Sequence, residues 1–211
     1  NRNTKVQLNP FAKDVLAGLT QTPKRLSSKY FYDDEGSRIF QEIMEMPEYY
    51  LTNAEFEILQ QQAAGLHQAL SFGESYSLIE LGAGDGSKTK QLLSFLLSLN
   101  VDLKYYPIDI SAEAVNILKE DLLSELPKLD IEPLVGDYFK ILNQLERDDR
   151  PALFLFLGSN IGNYEKIDAI QLLKMFGQYM RSGDKMLVGF DLKKNPWRIL
   201  DAYNDKQGIT R

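Results

Sequence analysis

The sequence predicts an α/β protein, a doubly wound and mostly parallel sheet with a helical appendage at its N-terminal side. Three observations predict it. From about residue 76 onward, strand-like and helix-like segments alternate, with connections too long for hairpins. Ala152 to Leu157 reads A-L-F-L-F-L, an unbroken apolar run of the kind a strand shows when both its faces are covered. The first strand also runs directly into Gly82-Ala83-Gly84-Asp85-Gly86, a glycine turn ahead of a helix. In such sheets ligands lie beyond the carboxyl ends of the strands.

The elements follow in order. Ser77 to Leu81 is the first strand. Lys88 to Leu99 carries Leu92, Leu93, Leu96, Leu97 and Leu99 with Phe95, a helical spacing rather than an alternating one. Tyr105 to Ile110 is the second strand, although Pro107 sits poorly inside a ladder. Ser111 caps the next helix, with Glu113 in its first turn. Ile131 to Val135 is a third strand, weakened by Pro133. Ala152 to Leu157 is the fourth. Ile167 to Met180 is an amphipathic helix and Lys185 to Leu192 the fifth strand. Pro196 suits the first turn of a closing helix that runs to about Tyr203.

The first 75 residues lack this alternation. Phe11 to Leu19, Ser37 to Met46 and Asn53 to Leu70 read as helices, with an aromatic and acidic turn at Tyr30 to Asp34. Thr52 with Glu55 three residues on forms a capping-box pattern for the last of these helices. The expected organisation is a helical region over 1–75 that covers the ligand, a ligand-binding core over 76–192, and a further segment over 193–211.

Composition excludes several chemistries. The 211 residues include no Cys and a single His, so disulfides, thiolate nucleophiles and His- or Cys-rich metal sites are absent. A Ser-His-Asp hydrolase would have to use His67, which falls in the helical region, and Gly158-Ser159-Asn160 lacks the nucleophile-elbow pattern. The net charge of -6 gives no steering toward nucleic acid, and no aromatic or basic reading surface is visible. The longest apolar run is far too short to span a membrane, and no signal-peptide pattern begins the chain. A cytoplasmic protein with no membrane or nucleic-acid partner is expected. The sequence leaves the oligomeric state open.

Three strand exits carry candidate ligand contacts. Gly82, Gly84 and Gly86 allow a tight turn and close approach. Asp109 ends the second strand, where a carboxylate accepts from the hydroxyls of a ribose. The plainer reading is an acid at the start of a helix. Asp137 follows the third strand and is suited to the exocyclic amine of adenine, with Tyr138 beside the ring; the plainer reading is an ordinary loop acid. Together they fit an adenosine-containing ligand. NAD prefers the G-x-G-x-x-G spacing for its pyrophosphate, whereas here the third glycine comes one position early. Glu80 and Asp85 make the exit acidic, which suits the sulfonium cation of S-adenosylmethionine (SAM) better than a dianion.

Longer motifs carry a resemblance. Lys29-Tyr30-Phe31-Tyr32-Asp33, Gly36-Ser37-Arg38-Ile39-Phe40 and Pro47-Glu48-Tyr49-Tyr50-Leu51-Thr52 stand in the N-terminal region. Leu81 to Thr89, Pro107-Ile108-Asp109-Ile110-Ser111, Phe156 to Asn163 and Gly189-Phe190-Asp191-Leu192 follow. With these the chain resembles the SAM-dependent histidine N-alpha-methyltransferase family, of the type that begins ergothioneine biosynthesis. The resemblance implies a Rossmann-like class I methyltransferase fold, SAM as cofactor and methyl transfer to the α-amine of a free amino acid, histidine foremost. Relatives acting on tryptophan-derived amines are the other substrate class. The resemblance also implies that Tyr32, Gly82, Lys88, Asp109, Asp137 and Tyr138 contact cofactor, with Lys88 at the methionine carboxylate. Asn163, Tyr50 and Tyr203 would hold the amino acid. Family members extend past the position of Arg211, which makes 193–211 the expected start of a substrate domain; the alternative to an active N-methyltransferase is a SAM-binding module without catalytic activity.

Overall fold

The computed structural model describes residues 8–26, 28–31 and 34–210. Among the described residues four α-helices lead, α1 (Pro10–Thr20), α2 (Asp34–Glu45), α3 (Tyr50–Gln61) and α4 (Ala63–Leu70), with a short 3-10 helix at Ser28–Phe31. The alternating part follows as β1 (Ser75–Leu81), α5 (Thr89–Ser98), β2 (Asp102–Asp109), α6 (Ala112–Glu125), β3 (Asp130–Ile131), β4 (Leu134–Val135) and α7 (Tyr138–Gln144). It continues through β5 (Ala152–Phe156), α8 (Lys166–Tyr179), β6 (Lys185–Val188) and α9 (Pro196–Ala202). The sheet order is β3-β2-β1-β5-β6, with β4 also on β2, and every described pairing is parallel. The chain winds outward from β1 through β2 to β3 and β4, then returns to β5 and β6 on the other side. The winding reverses between β1 and β5, and that is where such sheets hold ligands.

Alternate residues of the central strands feed two cores. Tyr76, Leu78, Tyr105, Leu153 and Leu155 pack with Leu92, Leu93 and Leu96 of α5, Leu118 and Leu122 of α6, and Leu59 and Ala63 of the N-terminal helices. Ile79, Leu81, Tyr106, Ile108, Phe154 and Phe156 face Leu142 of α7 and Leu172 and Phe176 of α8. The unbroken apolar run of β5 is thus two alternating faces, leucines on one side and phenylalanines on the other. Each buried Leu or Phe stabilises the fold by roughly 1.5–3 kcal/mol relative to exposure. A smaller cluster joins Met46 and Tyr49 to Ala202, so the N-terminal helices and α9 share a core of their own.

Several local expectations change. The single helix expected over Asn53 to Leu70 starts at Tyr50 and divides at Gln62, which keeps Leu59, Ala63 and Leu70 all buried against one sheet face. Thr52 lies inside α3 rather than at its cap, which is Tyr49 without a side-chain bond. Glu55 therefore closes no capping box and serves elsewhere. The third strand is split into β3 and β4 by Glu132-Pro133. β2 pairs with β3 at Lys104 and Tyr105 and with β4 at Ile108 and Asp109, so Pro107 sits opposite this gap. A missing N–H is tolerated there because the ladder is already open. The fifth strand ends at Val188, four residues earlier than expected, and Phe190 and Leu192 are exposed. Asn9 and Ser111 cap α1 and α6 with their side chains, accepting from Ala12 and Ala114 amides. Among the described residues no helix is long and apolar enough to cross a membrane.

Candidate active site

A cleft of about 1250 Å³ opens at the carboxyl ends of β1, β2, β4 and β5. One wall is made of strand exits: Gly82 to Asp85, Asp109 and Ile110, Gly136 to Tyr138, and Leu157 and Gly158. The other comes from the N-terminal helices and the loop after α1, through Asp14, Gly18, Arg25, Phe40, Gln41 and Met44. Arg25 pairs with Glu165 at the start of α8, and both residues line the cleft. Asp14, Asp85, Asp109, Asp137, Glu165 and Asp168 face Arg25 and Lys88. Carboxylates outnumber cations on these walls, which favours a positively charged ligand.

The glycine turn is held from the side. Asp109 Oδ2 accepts from the Gly84 amide at 2.9 Å, and its Oδ1 accepts from the Ser111 amide at 3.1 Å. An ionised carboxylate has about four lone-pair sites, so both oxygens keep capacity for hydroxyl donors. The plainer reading of Asp109 holds, since it orders a loop and a helix start, and the residue also lines the cleft. Asp137 is the N-cap of α7, its Oδ1 accepting from the amides of Phe139 and Lys140. It lines the cleft as well, beside Tyr138. The Tyr138 ring packs against Phe139, Phe156 and Phe176, and its hydroxyl meets that of Tyr164 at 3.0 Å.

The remaining expected residues divide. Gly82, Gly84, Lys88 and Asn163 line the cleft, Asn163 at the end of the short 3-10 turn Asn160–Asn163 after β5. Gly86 does not line it. A Cβ there would stand 2.8 Å from Leu118 Cδ1, so this glycine is needed where the turn packs on α6. Tyr32 lies outside the described residues. Tyr50 lines a neighbouring cavity of about 290 Å³ with Glu55, Gly189 and Asp191. Its hydroxyl donates to Asp191 Oδ2 at 2.5 Å and accepts from Lys194 Nζ at 3.0 Å. Burial, then the Asp191 carboxylate, push the Tyr50 phenol above its usual value, so it stays protonated at neutral pH. Burial opposes the charged form of Asp191, but hydrogen bonds from Lys194 and Tyr50 outweigh it and hold its carboxyl low. Tyr203 lines neither cavity. It is the C-cap of α9, half-exposed, its ring edge-on to Tyr49 at 5.7 Å.

Glu80 corrects an expectation. Its carboxylate is buried and accepts from Thr89 Oγ1 at 2.7 Å and from the Tyr105 hydroxyl. Burial raises its carboxyl to about 7. The acidity of the cleft therefore comes from Asp85 and the other wall carboxylates more than from Glu80. Sequence reasoning missed Glu55, whose carboxylate accepts from Lys88 Nζ at 2.6 Å and from the Gly158 amide at 2.7 and 2.9 Å. The capping-box pattern concealed it. His67 Nδ1 lies 3.1 Å from the Tyr76 hydroxyl near the start of β1, the opposite end of the strand from the glycine turn, so the hydrolase constellation does not form.

Comparison with known proteins places this geometry. The chain belongs to the histidine-specific, SAM-dependent methyltransferase family, whose profile matches residues 11–211. It is 37% identical over 198 residues to a histidine N-alpha-methyltransferase of Mycobacterium tuberculosis (strain CDC 1551 / Oshkosh), covering 94% of this chain and 60% of that protein. It is 29% identical over 201 residues to a 4-dimethylallyltryptophan N-methyltransferase of Claviceps purpurea, covering 90% of this chain and 58% of that protein. The chain thus spans about 60% of the length of these curated relatives. The crystal structure of magnesium protoporphyrin IX methyltransferase from Synechocystis PCC 6803 shares the fold, with a TM-score of 0.50 at 15% identity over 72% of this chain and 69% of that one. The fold is that of a Rossmann-like class I methyltransferase, and the cofactor of the family is SAM.

Proposed function

We propose that this chain holds SAM in the large cleft and serves the N-methylation of the α-amine of a free amino acid, L-histidine. The observation that carries the cofactor half is the pair Asp109 and Asp137. These carboxylates stand at successive strand exits of one acidic cleft, next to the positive-φ turn at Gly82 and Gly84. A cofactor with ribose hydroxyls, an adenine amine and a cationic sulfonium suits that donor and acceptor set. The histidine half rests on family membership and on the relative from Mycobacterium tuberculosis.

When bound, SAM supplies a methyl group activated by an adjacent sulfonium. Asp109 would hold the ribose, Asp137 and Tyr138 the adenine, and Lys88 the carboxylate of the amino acid end. Asn163 fronts the same cleft and would orient the acceptor amine. Holding an amine and a methyl carbon about 3–3.5 Å apart and aligned supplies much of the acceleration such a transfer needs. No strong base is required, since the amine has only to reach the cleft unprotonated. Tyr50 is a donor rather than a base, because its phenol is held protonated against Asp191. The amine proton then passes to water. Helices α1 and α2 and the Arg25–Glu165 pair act as cover over the cleft, excluding bulk water from the reacting atoms.

The test is methyl transfer from labelled SAM by the full protein to a panel of free amino acids. Label on the histidine α-amine is expected. Label only on tryptophan-derived amines would move the protein to the other substrate class. Transfer solely to protein, RNA or DNA would overturn the reading. Cofactor binding with no transfer to any acceptor would make it a binding module.

A further inference from the structure

We propose that Glu55 is a positioning residue for the cofactor's amino acid end, acting through Lys88. The inference rests on the reading of the large cleft as a SAM site. Glu55 comes from α3, outside the alternating core, and lines the small cavity with Tyr50 and Asp191 rather than the large cleft. Lys88 lines the large cleft, just after the glycine turn. The two meet at 2.6 Å, with side chains only 15% and 16% exposed.

The arrangement is built rather than incidental. Both Glu55 oxygens accept from the Gly158 amide, at 2.7 and 2.9 Å, so the carboxylate is anchored to the loop that leaves β5. A Cβ at Gly189 would stand 2.2 Å from Glu55 Oε1, so the chain beyond β6 leaves room for this carboxylate. One side chain thereby connects α3, the turn after β1, and the exits of β5 and β6.

A free lysine loses side-chain rotamer freedom when its ammonium is fixed on a ligand, and fixing that ammonium beforehand removes part of the cost from binding. An ammonium has three donors. Glu55 takes one from behind, which leaves the others for a carboxylate arriving in the cleft. A lysine held in this way favours ligands that carry a carboxylate and does nothing for those that lack one.

That difference gives the experiment. S-adenosylhomocysteine and 5′-methylthioadenosine share the adenosine portion, and only the first has the amino acid end. Calorimetric titration of both would be run on the full protein and on its Glu55→Gln, Lys88→Ala and double variants. Gln keeps an acceptor for the Gly158 amide, so the loop anchor survives. Glu55→Gln is expected to weaken S-adenosylhomocysteine about tenfold, in the range of one charge-assisted hydrogen bond, and to leave methylthioadenosine within about twofold. Lys88→Ala should show the same selectivity, and the double variant should bind no more weakly than Lys88→Ala alone. Equal loss for both ligands would make Glu55 a scaffold residue. Unchanged or tighter S-adenosylhomocysteine binding, or additive losses in the double variant, would also overturn the proposal. A wild-type protein that binds neither ligand would overturn the cofactor reading itself, and this inference with it.

Discussion

Asp109 and Gly84 stand 25 residues apart in sequence, and the Asp109 Oδ2 accepts the Gly84 amide proton at 2.9 Å. This one bond joins the exits of β1 and β2 and sets the turn against the cleft. It also gives Asp109 two duties, which mutation can separate. Asp109→Ala is expected to weaken S-adenosylhomocysteine binding by roughly 2–4 kcal/mol, through loss of charge-assisted bonds to the ribose. The same change frees the Gly84 and Ser111 amides at a part-buried position. Unfolding free energy should fall by about 1–3 kcal/mol, since two part-buried amides lose their acceptor. Calorimetry and denaturant unfolding on the variant check both. A stability loss with unchanged affinity would confine Asp109 to loop structure.

Glu80 makes stability depend on pH. Its carboxyl is raised from the ordinary 4.5 to about 7 in the folded state, chiefly by burial. The folded protein therefore holds a proton that the unfolded chain releases, and this group's contribution falls as pH rises from about 4.5 to 7. Glu80→Gln removes the titration while keeping an acceptor for Thr89 or Tyr105. The variant should gain on the wild type by a few kcal/mol between pH 5 and pH 8, because each tenfold change in proton affinity is worth roughly 1.4 kcal/mol. Denaturation curves at the two pH values measure it. A difference between variant and wild type that does not change with pH would contradict the assignment.

Arg147 and Asp184 form a buried ion pair at 2.6 Å, with side chains 4% and 1% exposed. Asp184 also accepts from the Ala152 and Arg181 amides, which ties β5 to the turn before β6. Arg147→Ala leaves the carboxylate buried and should cost about 3 kcal/mol, the lower end for a broken buried pair because two amides remain. Affinity for S-adenosylhomocysteine, measured on the folded variant, should be unchanged, since neither residue lines the cleft.

Gly86→Ala should behave as a packing change. The residue has φ +66°, and an added Cβ would meet the buried Leu118 side chain. A loss of roughly 1–3 kcal/mol in unfolding free energy is expected. Calorimetry should show cofactor affinity within a few-fold of wild type. A large affinity loss with intact stability would return Gly86 to the ligand-contact class.

The alternating core was legible because its physics is local. Leucine spacing marks α5, the apolar run marks β5, and Ser111 marks the start of α6. The split between β3 and β4 was less so, since Pro107 and Pro133 each argue against a strand until register places them at one gap. Among site residues, the strand-exit acids Asp109 and Asp137 follow from position in the sheet. Glu55, Tyr50 and Tyr203 do not, because their placement depends on how the N-terminal helices and α9 pack on the core. The T-x-x-E pattern at Thr52 and Glu55 shows the hazard. A local rule supplied a sufficient reason for Glu55, and a partner 33 residues away displaced it.

The central claim is that the cleft at the β1 and β2 exits is built for an S-adenosyl cofactor. Titrating the protein calorimetrically with S-adenosylhomocysteine and, separately, with NAD tests it most directly. Saturable binding of S-adenosylhomocysteine, weakened in Asp109→Ala, with no heat from NAD, is the predicted result. Saturable NAD binding with no response to S-adenosylhomocysteine would contradict it.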